Sequence, residues 1–157
     1  TITAATAARP AVGIAAMLLA PVEVAQSLGA PIRATVVGAA MTGTDFLRPE
    51  MGPIWAAEKV LRRVGLAVEA MDVIELHEVT AVETLGGIRN GAWTGLLSRI
   101  NPLGGALAFG NPWGMTGIRM VGSAITALER VQGKYALVTL SAGDGQSCAL
   151  IVKRGET

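Results

Sequence analysis

The segment of residues 90–114 constrains the fold of this chain most strongly, because it contains six glycines and two prolines. Ordering glycine costs much conformational entropy, and proline removes a backbone donor, so this segment predicts irregular structure and not a long helix or strand. The residues before and after it follow regular hydrophobic patterns. We therefore expect the core to come from those flanking segments, with a long loop between them.

The flanking patterns alternate between strands and helices. Apolar residues recur at helical spacing over 53–64, where Gly65 is the predicted cap, and again over 116–131. Short runs rich in Val, Thr and Ala predict strands. The predicted elements are a strand at 13–20, a helix at 21–28, a strand at 32–41, a helix at 53–64, a strand at 72–77, helices at 79–89 and 116–131, and strands at 135–140 and 148–153. This order predicts a layered α/β domain.

Size and charge argue against several classes of function. The 157 residues are expected to form a single domain, residues 1–157. A formal net charge of +1, with acids and bases interspersed, gives no basic surface for nucleic acid. The longest apolar stretch, 11–22, is interrupted by Gly13 and Pro21 and is shorter than the roughly 20 residues of a membrane-spanning helix. Neither nucleic acid nor a membrane is an expected partner.

Cysteine usage limits the possible covalent and metal chemistry. Cys148 is the single cysteine, which excludes an internal disulfide and a cysteine-cluster metal site. Its apolar neighbours predict a small buried residue in a strand, not a reactive thiol. No metal and no redox cofactor is implied, and we expect a cytoplasmic protein.

Four segments resemble, in the right order, the carboxy-terminal half of a thiolase. Residues 1–5, Thr-Ile-Thr-Ala-Ala, resemble the opening of that half. Residues 73–78, with Ala81, resemble the family's strand and its Asn-Glu-Ala-Phe or His-Glu-Ala-Phe motif. Residues 101–117 are similar to the glycine-rich active-site loop, and residues 139–146 to the closing Cys-x-Gly-Gly-Gly-Gln segment.

This resemblance implies a fold, a substrate class and a partner. The chain would be one half of the duplicated βαβαβαββ thiolase fold, with a mixed sheet covered by helices. In the family, the nucleophilic cysteine and most acyl-CoA contacts belong to the other half. The implied partner is therefore a cysteine-bearing thiolase amino-terminal half or thiolase-like chain. The implied substrate is an acyl thioester of CoA or of an acyl carrier protein.

Several positions depart from the thiolase pattern. Asn111 stands where a thiolase has the histidine of Gly-His-Pro, and Ser141 stands where it has a second cysteine that acts as acid and base. Val12 and Asp144 replace an aspartate and a loop glycine. A hydroxyl has a pKa far above the value of about 8.5 for a thiol, which makes it a poor base. Ordinary reversible thiolysis is therefore expected to be lost.

The chain is also similar to the β-ketoacyl synthases, which share this fold and use a cysteine with histidine and asparagine. Their histidine corresponds to His77 and their asparagine to Asn111. Both side chains can donate hydrogen bonds to a thioester oxygen as it gains negative charge, and losing one such donor costs about two to three decades in rate. The implied activity is acyl transfer or Claisen-type condensation. The expected catalytic residues are His77, Asn111 and Ser141, and the expected substrate-binding residues are Gly110, Gly143 and Gly145.

These residues also have structural interpretations. A lone histidine is often structural, and Asn111 could serve as a turn residue. Ser141 lacks a second histidine to activate it, and the glycines could serve close packing alone. Thr1 could be a nucleophile exposed by processing, or only the first residue of a gene product. The alternative function is a catalytically inactive thiolase-like subunit for assembly or acyl-CoA binding.

Overall fold

A mixed four-stranded sheet forms the centre of the molecule in a computed structural model that describes residues 1–155. Its strands are β1 (Ala34–Gly43), β2 (Val73–Leu76), β3 (Tyr135–Ala142) and β4 (Gln146–Arg154), in the spatial order β1-β4-β3-β2. β4 is antiparallel to both β1 and β3, whereas β2 is parallel to β3. The predicted α/β class with a mixed sheet is confirmed.

Helices cover both faces of this sheet. They are α1 (Val22–Ser27), α2 (Gly52–Val64), α3 (Ala81–Asn90), α4 (Ala106–Phe109) and α5 (Thr116–Val131). α2 packs Ile54 and Val60 into one core cluster, and α5 packs Met120 and Leu128 into the other. Gly65 caps α2 in the left-handed conformation, as predicted. Over residues 1–155, no helix has the length and apolar content required to span a bilayer.

The side chains of β2 alternate between these two core clusters. Val73 packs in the cluster of α5, whereas Ile74 and Leu76 pack in the cluster of α2. Successive side chains of a strand point to opposite faces, so Glu75 lies on the α5 face, where it is fully buried. A carboxylate therefore lies inside the core two residues before His77.

The strand predicted at 13–20 does not form, and this part of the prediction was wrong. Residues 11–20 have no regular secondary structure, and no backbone hydrogen bond involves residues 12–20. Val12, Ile14 and Leu18 are more than nine-tenths exposed. A strand needs a neighbour that pairs its N–H and C=O groups, and none of the four strands described above pairs with this segment. The apolar run indicated a segment that favours burial, but it did not indicate which surface would cover it.

Three smaller differences concern helix and loop details. The helix predicted from residue 79 begins at Ala81, because Thr80 caps it by accepting a hydrogen bond from Glu83 N at 3.1 Å. Ile118, predicted on the buried stripe of α5, is 40% exposed. The loop 90–114 is largely irregular, as predicted, but it contains α4 and a 3₁₀ helix at Thr94–Arg99.

Candidate active site

An open cleft of about 430 Å³ lies where the parallel strands β2 and β3 end. Five of the six predicted site residues line it, and Gly110 does not. The lining comes from the loop after β1, the turn after β2, the glycine-rich loop and the β3–β4 hairpin: Thr44, Phe46, Pro49, His77, Val79, Glu83, Asn111, Trp113, Thr116 and residues 140–147. Four segments that are distant in sequence therefore meet at one sheet edge.

His77 is held at the end of β2 with a defined ring orientation. Its backbone N–H donates to Thr139 O at 3.0 Å, and its Nδ1 lies 3.1 Å from the carbonyl oxygen of Ser141. A carbonyl oxygen only accepts hydrogen bonds, so Nδ1 carries the proton. In the neutral ring, Nε2 is then a proton acceptor, and it has no hydrogen-bond partner within residues 1–155.

The surroundings of His77 favour this neutral ring. Burial lowers the pKa of the imidazole below its ordinary value, and the positive charge of Arg119 acts in the same direction. The Ser141 carbonyl, the Asn111 side chain and Glu78 oppose this shift without reversing it. The sequence-based expectation made His77 a hydrogen-bond donor to a thioester oxygen. Donation from Nε2 requires the charged ring, so the resting site offers a base at this position.

Asn111 is a buried amide beside the imidazole of His77, and its Oδ1 and Nδ2 atoms have different roles. Its Oδ1 accepts hydrogen bonds from Trp113 N at 3.1 Å and from Thr116 Oγ1 at 3.0 Å. Its side chain contributes to the pKa of His77, but no well-formed hydrogen bond joins the two groups. Because Oδ1 is occupied, Nδ2 is the atom left to donate to a ligand. The turn interpretation and the site interpretation of Asn111 are therefore compatible.

Ser141 contributes to the site through its backbone. Its carbonyl oxygen orients His77, and its partly exposed side chain lines the cleft. The nearby thiol of Cys148 is not among the residues that line the cleft. Burial raises the pKa of Cys148, which makes this half-buried thiol a poor nucleophile.

The three predicted substrate-binding glycines have different environments. Gly145 has φ +71° in the β3–β4 turn, and a Cβ there would collide with the carbonyl oxygen of Thr44. Gly143 lines the same cleft, and a Cβ added to it would have no neighbouring atom within 4 Å. Gly110 packs away from the cleft, where an added Cβ would lie 2.7 Å from Ala11 Cβ. Close packing against the amino-terminal segment accounts for Gly110.

Glu78 and Asn101 position the glycine-rich loop. The side-chain amide of Asn101 forms two hydrogen bonds with the backbone of Leu76, as the backbone of a neighbouring strand would. Its Oδ1 accepts from Leu76 N at 2.8 Å, and its Nδ2 donates to Leu76 O at 2.9 Å. Glu78 accepts hydrogen bonds from Asn101 Nδ2 at 2.7 Å and from Leu107 N at 3.0 Å. Sequence reasoning assigned neither residue this role. One sequence signal could have found Glu78. It directly follows His77, and a partly buried carboxylate needs hydrogen-bond donors from other segments.

Comparisons with known proteins agree with this geometry. Residues 30–154 match the family model "Thiolase, C-terminal domain". The chain is 40% identical over 154 residues to the β-ketoadipyl-CoA thiolase of Pseudomonas aeruginosa, covering 98% of this chain and 38% of that protein. It is 39% identical over 142 residues to the 3-oxoadipyl-CoA/3-oxo-5,6-dehydrosuberyl-CoA thiolase of Escherichia coli K12, and this match covers 90% of this chain and 35% of that protein. The chain therefore belongs to the thiolase family, as the carboxy-terminal half of its fold.

Solved structures give the same result. The crystal structure of human mitochondrial 3-ketoacyl-CoA thiolase superposes with a TM-score of 0.82 at 30% identity, covering 87% of this chain and 34% of that chain. A Bacillus anthracis acetyl-CoA acetyltransferase superposes with a TM-score of 0.81 at 28% identity. This superposition covers 85% of this chain and 34% of that chain. The chain spans 35–40% of the length of the curated relatives it matches.

Proposed function

We propose that this chain acts in acyl transfer or Claisen-type condensation on an acyl thioester, together with a partner chain that supplies the nucleophilic cysteine. The observation that carries the proposal is the meeting of His77 and Asn111 at one open cleft, where the buried Nε2 of His77 has no hydrogen-bond partner within residues 1–155 and the Oδ1 of Asn111 is already bonded. Within the described residues, no thiol lines this cleft. A partner's thiol would complete it.

The two side chains would divide the work between proton transfer and charge stabilisation. Neutral His77 accepts at Nε2 the proton of the attacking thiol or of the substrate's α-carbon. The resulting imidazolium then donates from Nε2 to the oxygen that becomes negative. Asn111 donates from Nδ2 to the same developing oxyanion and needs no change of protonation. His77 then returns the proton to the sulfur that leaves, which is the carrier's sulfur in acyl transfer and the partner's cysteine in condensation.

The cleft suits a thioester carried on a flexible apolar arm. Phe46 and Trp113 line it and expose 74% and 69% of their surface, which offers apolar contact area beside the polar site. The curated relatives are named for acyl-CoA substrates, which supports CoA as the carrier here, with an acyl carrier protein as the other candidate. We propose a cytoplasmic complex that needs no metal or redox cofactor. Ordinary thiolysis is not proposed, because by the motif resemblance Asn111 and Ser141 stand in place of its histidine and second cysteine.

The test combines the chain with a cysteine-bearing amino-terminal half, taken from the Pseudomonas aeruginosa relative that it matches at 40% identity. We expect the purified complex to exchange labelled CoA into acyl-CoA, and neither chain alone to do so. The control complex carries alanine in place of the partner's cysteine. A complex that forms but turns over none of these thioesters would support the alternative function, an inactive subunit for assembly or acyl-CoA binding.

Residues 11–20 support the need for a partner. Within it, residues 12–20 make no backbone hydrogen bond to the rest of residues 1–155, and the apolar side chains of Ile14, Leu18 and Leu19 are exposed by three quarters or more. Residues 1–29 precede the part of the chain that matches the family model, which begins at residue 30. An exposed apolar segment without backbone pairing fits the open edge of a sheet in another polypeptide.

Leu18→Asp is therefore expected to weaken association with the cysteine-bearing half by about tenfold to a hundredfold, because a buried leucine contributes roughly 1.5–3 kcal/mol. Val131→Asp is the matched control, since Val131 is also an exposed apolar residue but ends α5. Sedimentation of the mixed chains measures the dissociation constant. Equal weakening by the two variants would contradict a specific role for residues 11–20.

A further inference from the structure

Residues 6–11 form a strap that binds two parts of the site through backbone hydrogen bonds. On one side, Ala8 N donates to Val79 O at 2.9 Å, and Ala81 N donates to Thr6 O at 2.8 Å. Val79 lies two residues after the histidine of the site, and Ala81 begins α3. The strap therefore holds the turn that connects the end of β2 to α3.

The other side of the strap holds Asn111. Its backbone N–H donates to Arg9 O at 2.7 Å, and its carbonyl oxygen accepts from Ala11 N at 3.1 Å. These two bonds make a parallel bridge between Asn111 and Pro10. Asn111 is buried, and buried backbone groups need hydrogen-bond partners, so the strap satisfies both polar groups of its backbone. The position of this amide in the cleft therefore depends on the strap.

Gly110 allows the loop to approach the strap this closely. It has φ +94°, a conformation that residues with a Cβ rarely adopt. A Cβ there would also lie 2.7 Å from Ala11 Cβ and 3.0 Å from Arg9 O. The residue directly before Asn111 is therefore one that fits against the strap, and a larger residue would push the two segments apart.

The strap is a backbone partner that both parts of the site share. Glu78 also binds the glycine-rich loop, but through Asn101 and Leu107, which precede the amide of the site. In the described chain, no backbone hydrogen bond joins residues 77–81 directly to residues 110–113. The strap connects these two segments, because it is bonded to each of them.

We propose that residues 6–11 are a positioning segment, which sets the His77 imidazole and the Asn111 amide relative to each other by binding the backbone beside each of them. No residue of the strap lines the cleft, so it acts through these two side chains and not on the substrate. This inference rests on the proposed function only for its catalytic meaning. The environment of His77 can be measured without any turnover.

Proline substitutions remove the N–H donors of the strap one at a time. Ala11→Pro removes the donor to Asn111 O, and Ala8→Pro removes the donor to the turn after β2. Ala16→Pro is the matched control, since Ala16 is exposed and makes no backbone hydrogen bond within the described residues. His77 is the single histidine, so its ring signals are unambiguous in NMR spectra of the full chain. We expect both strap variants to shift these signals and the control to leave them unchanged.

A merely structural strap would lower stability without moving the ring signals of the folded chain. Unchanged signals in both strap variants, or an equal shift in Ala16→Pro, would therefore overturn the proposal.

Hydrogen exchange tests the strap even if the proline variants do not fold. In the wild-type chain we expect the Asn111 N–H to exchange more slowly than the N–H groups of residues 12–20, which have no backbone partner in the described chain. Gly110→Ala should speed the exchange of Asn111 N–H by about fivefold to thirtyfold, the effect of losing one or two hydrogen bonds. Gly114→Ala is the control in the same loop, since nothing lies within 4 Å of a Cβ there. Wild-type exchange at Asn111 as fast as in residues 12–20, or equal acceleration by Gly114→Ala, would contradict the strap.

Kinetics of the complex with the cysteine-bearing half separate positioning from substrate binding. At a partner concentration that saturates the variant, we expect Ala11→Pro to lower kcat by about tenfold to a hundredfold, because a misplacement of about 1 Å can cost that much rate. KM should change much less, since the strap does not line the cleft. A raised KM at unchanged kcat would overturn the proposal. An inactive wild-type complex whose His77 ring signals still respond to Ala11→Pro would refute the proposed function and leave this inference standing.

Discussion

Replacing His77 with alanine is expected to lower kcat/KM of the complex by about a thousandfold, on the order of 4 kcal/mol of transition-state stabilisation. The reason is that the proposed proton acceptor is Nε2, and Nδ1 is fixed by the Ser141 carbonyl. Wild-type activity should rise with pH as the imidazole loses its proton, and the lowered pKa of His77 moves that rise below 6.5. The alanine variant should lack this limb of the pH profile. Steady-state assays of acyl exchange across pH measure both effects.

Ser141→Ala is the matched control for this prediction. It removes the hydroxyl but keeps the backbone carbonyl that orients His77, so we expect little loss of activity. Asn111→Ala should cost about two to three decades and should move the His77 limb of the pH profile lower, because the Asn111 side chain raises the pKa of His77. A loss in Ser141→Ala as large as in His77→Ala would assign the acid and base role to the hydroxyl instead.

Gly145→Ala is expected to destabilise the fold by about 2–4 kcal/mol. Gly145 and Asp144 both have positive φ, as the tight turn between β3 and β4 requires. An alanine would be strained in this conformation, and its Cβ would meet the carbonyl oxygen of Thr44. Thr44 N also donates to Gly145 O at 2.7 Å, so the strain would spread to the loop after β1. Both segments line the cleft, and substrate binding should weaken with stability.

Gly143→Ala provides the comparison within the same turn. Gly143 has no positive φ, and nothing lies within 4 Å of a Cβ at this position. We expect a change within about 0.5 kcal/mol, as for an ordinary surface substitution. Urea unfolding measures the stability of both variants, and their midpoints can be compared directly if the denaturant dependence of the unfolding free energy (the m value) is the same. Similar midpoints for the two would show that the turn does not depend on the backbone freedom of Gly145.

Local sequence patterns predicted the helices and strands whose buried apolar residues recur at a regular spacing within one short segment. The apolar spacing of residues 53–64 predicted α2 and its cap at Gly65, and the spacing of 116–131 predicted the bounds of α5. The hairpin of β3 and β4 followed from two apolar runs around a glycine-rich turn. These features were readable because each depends on residues a few positions apart.

Contacts between distant segments could not be read in the same way. The apolar run at 13–20 predicted a strand, but no strand within residues 1–155 pairs with it. Glu75 was only one residue in an apolar run, and only the fold shows that its side chain is fully buried, two residues before His77. Gly110 was assigned to substrate, yet it packs against Ala11.

The sequence by itself determined the fold class, the family resemblance and the residue types at the cleft, because motifs and periodicity are local properties of a chain. Only the tertiary structure decided that His77 presents a proton-accepting Nε2, since the Ser141 carbonyl that fixes its ring lies 64 residues away along the chain. It also decided that Thr116 and Trp113 occupy the oxygen of Asn111, which leaves Nδ2 as its hydrogen-bonding atom in the proposed mechanism. Hydrogen bonds across the fold set the protonation and direction of these groups, and no sequence pattern specifies them.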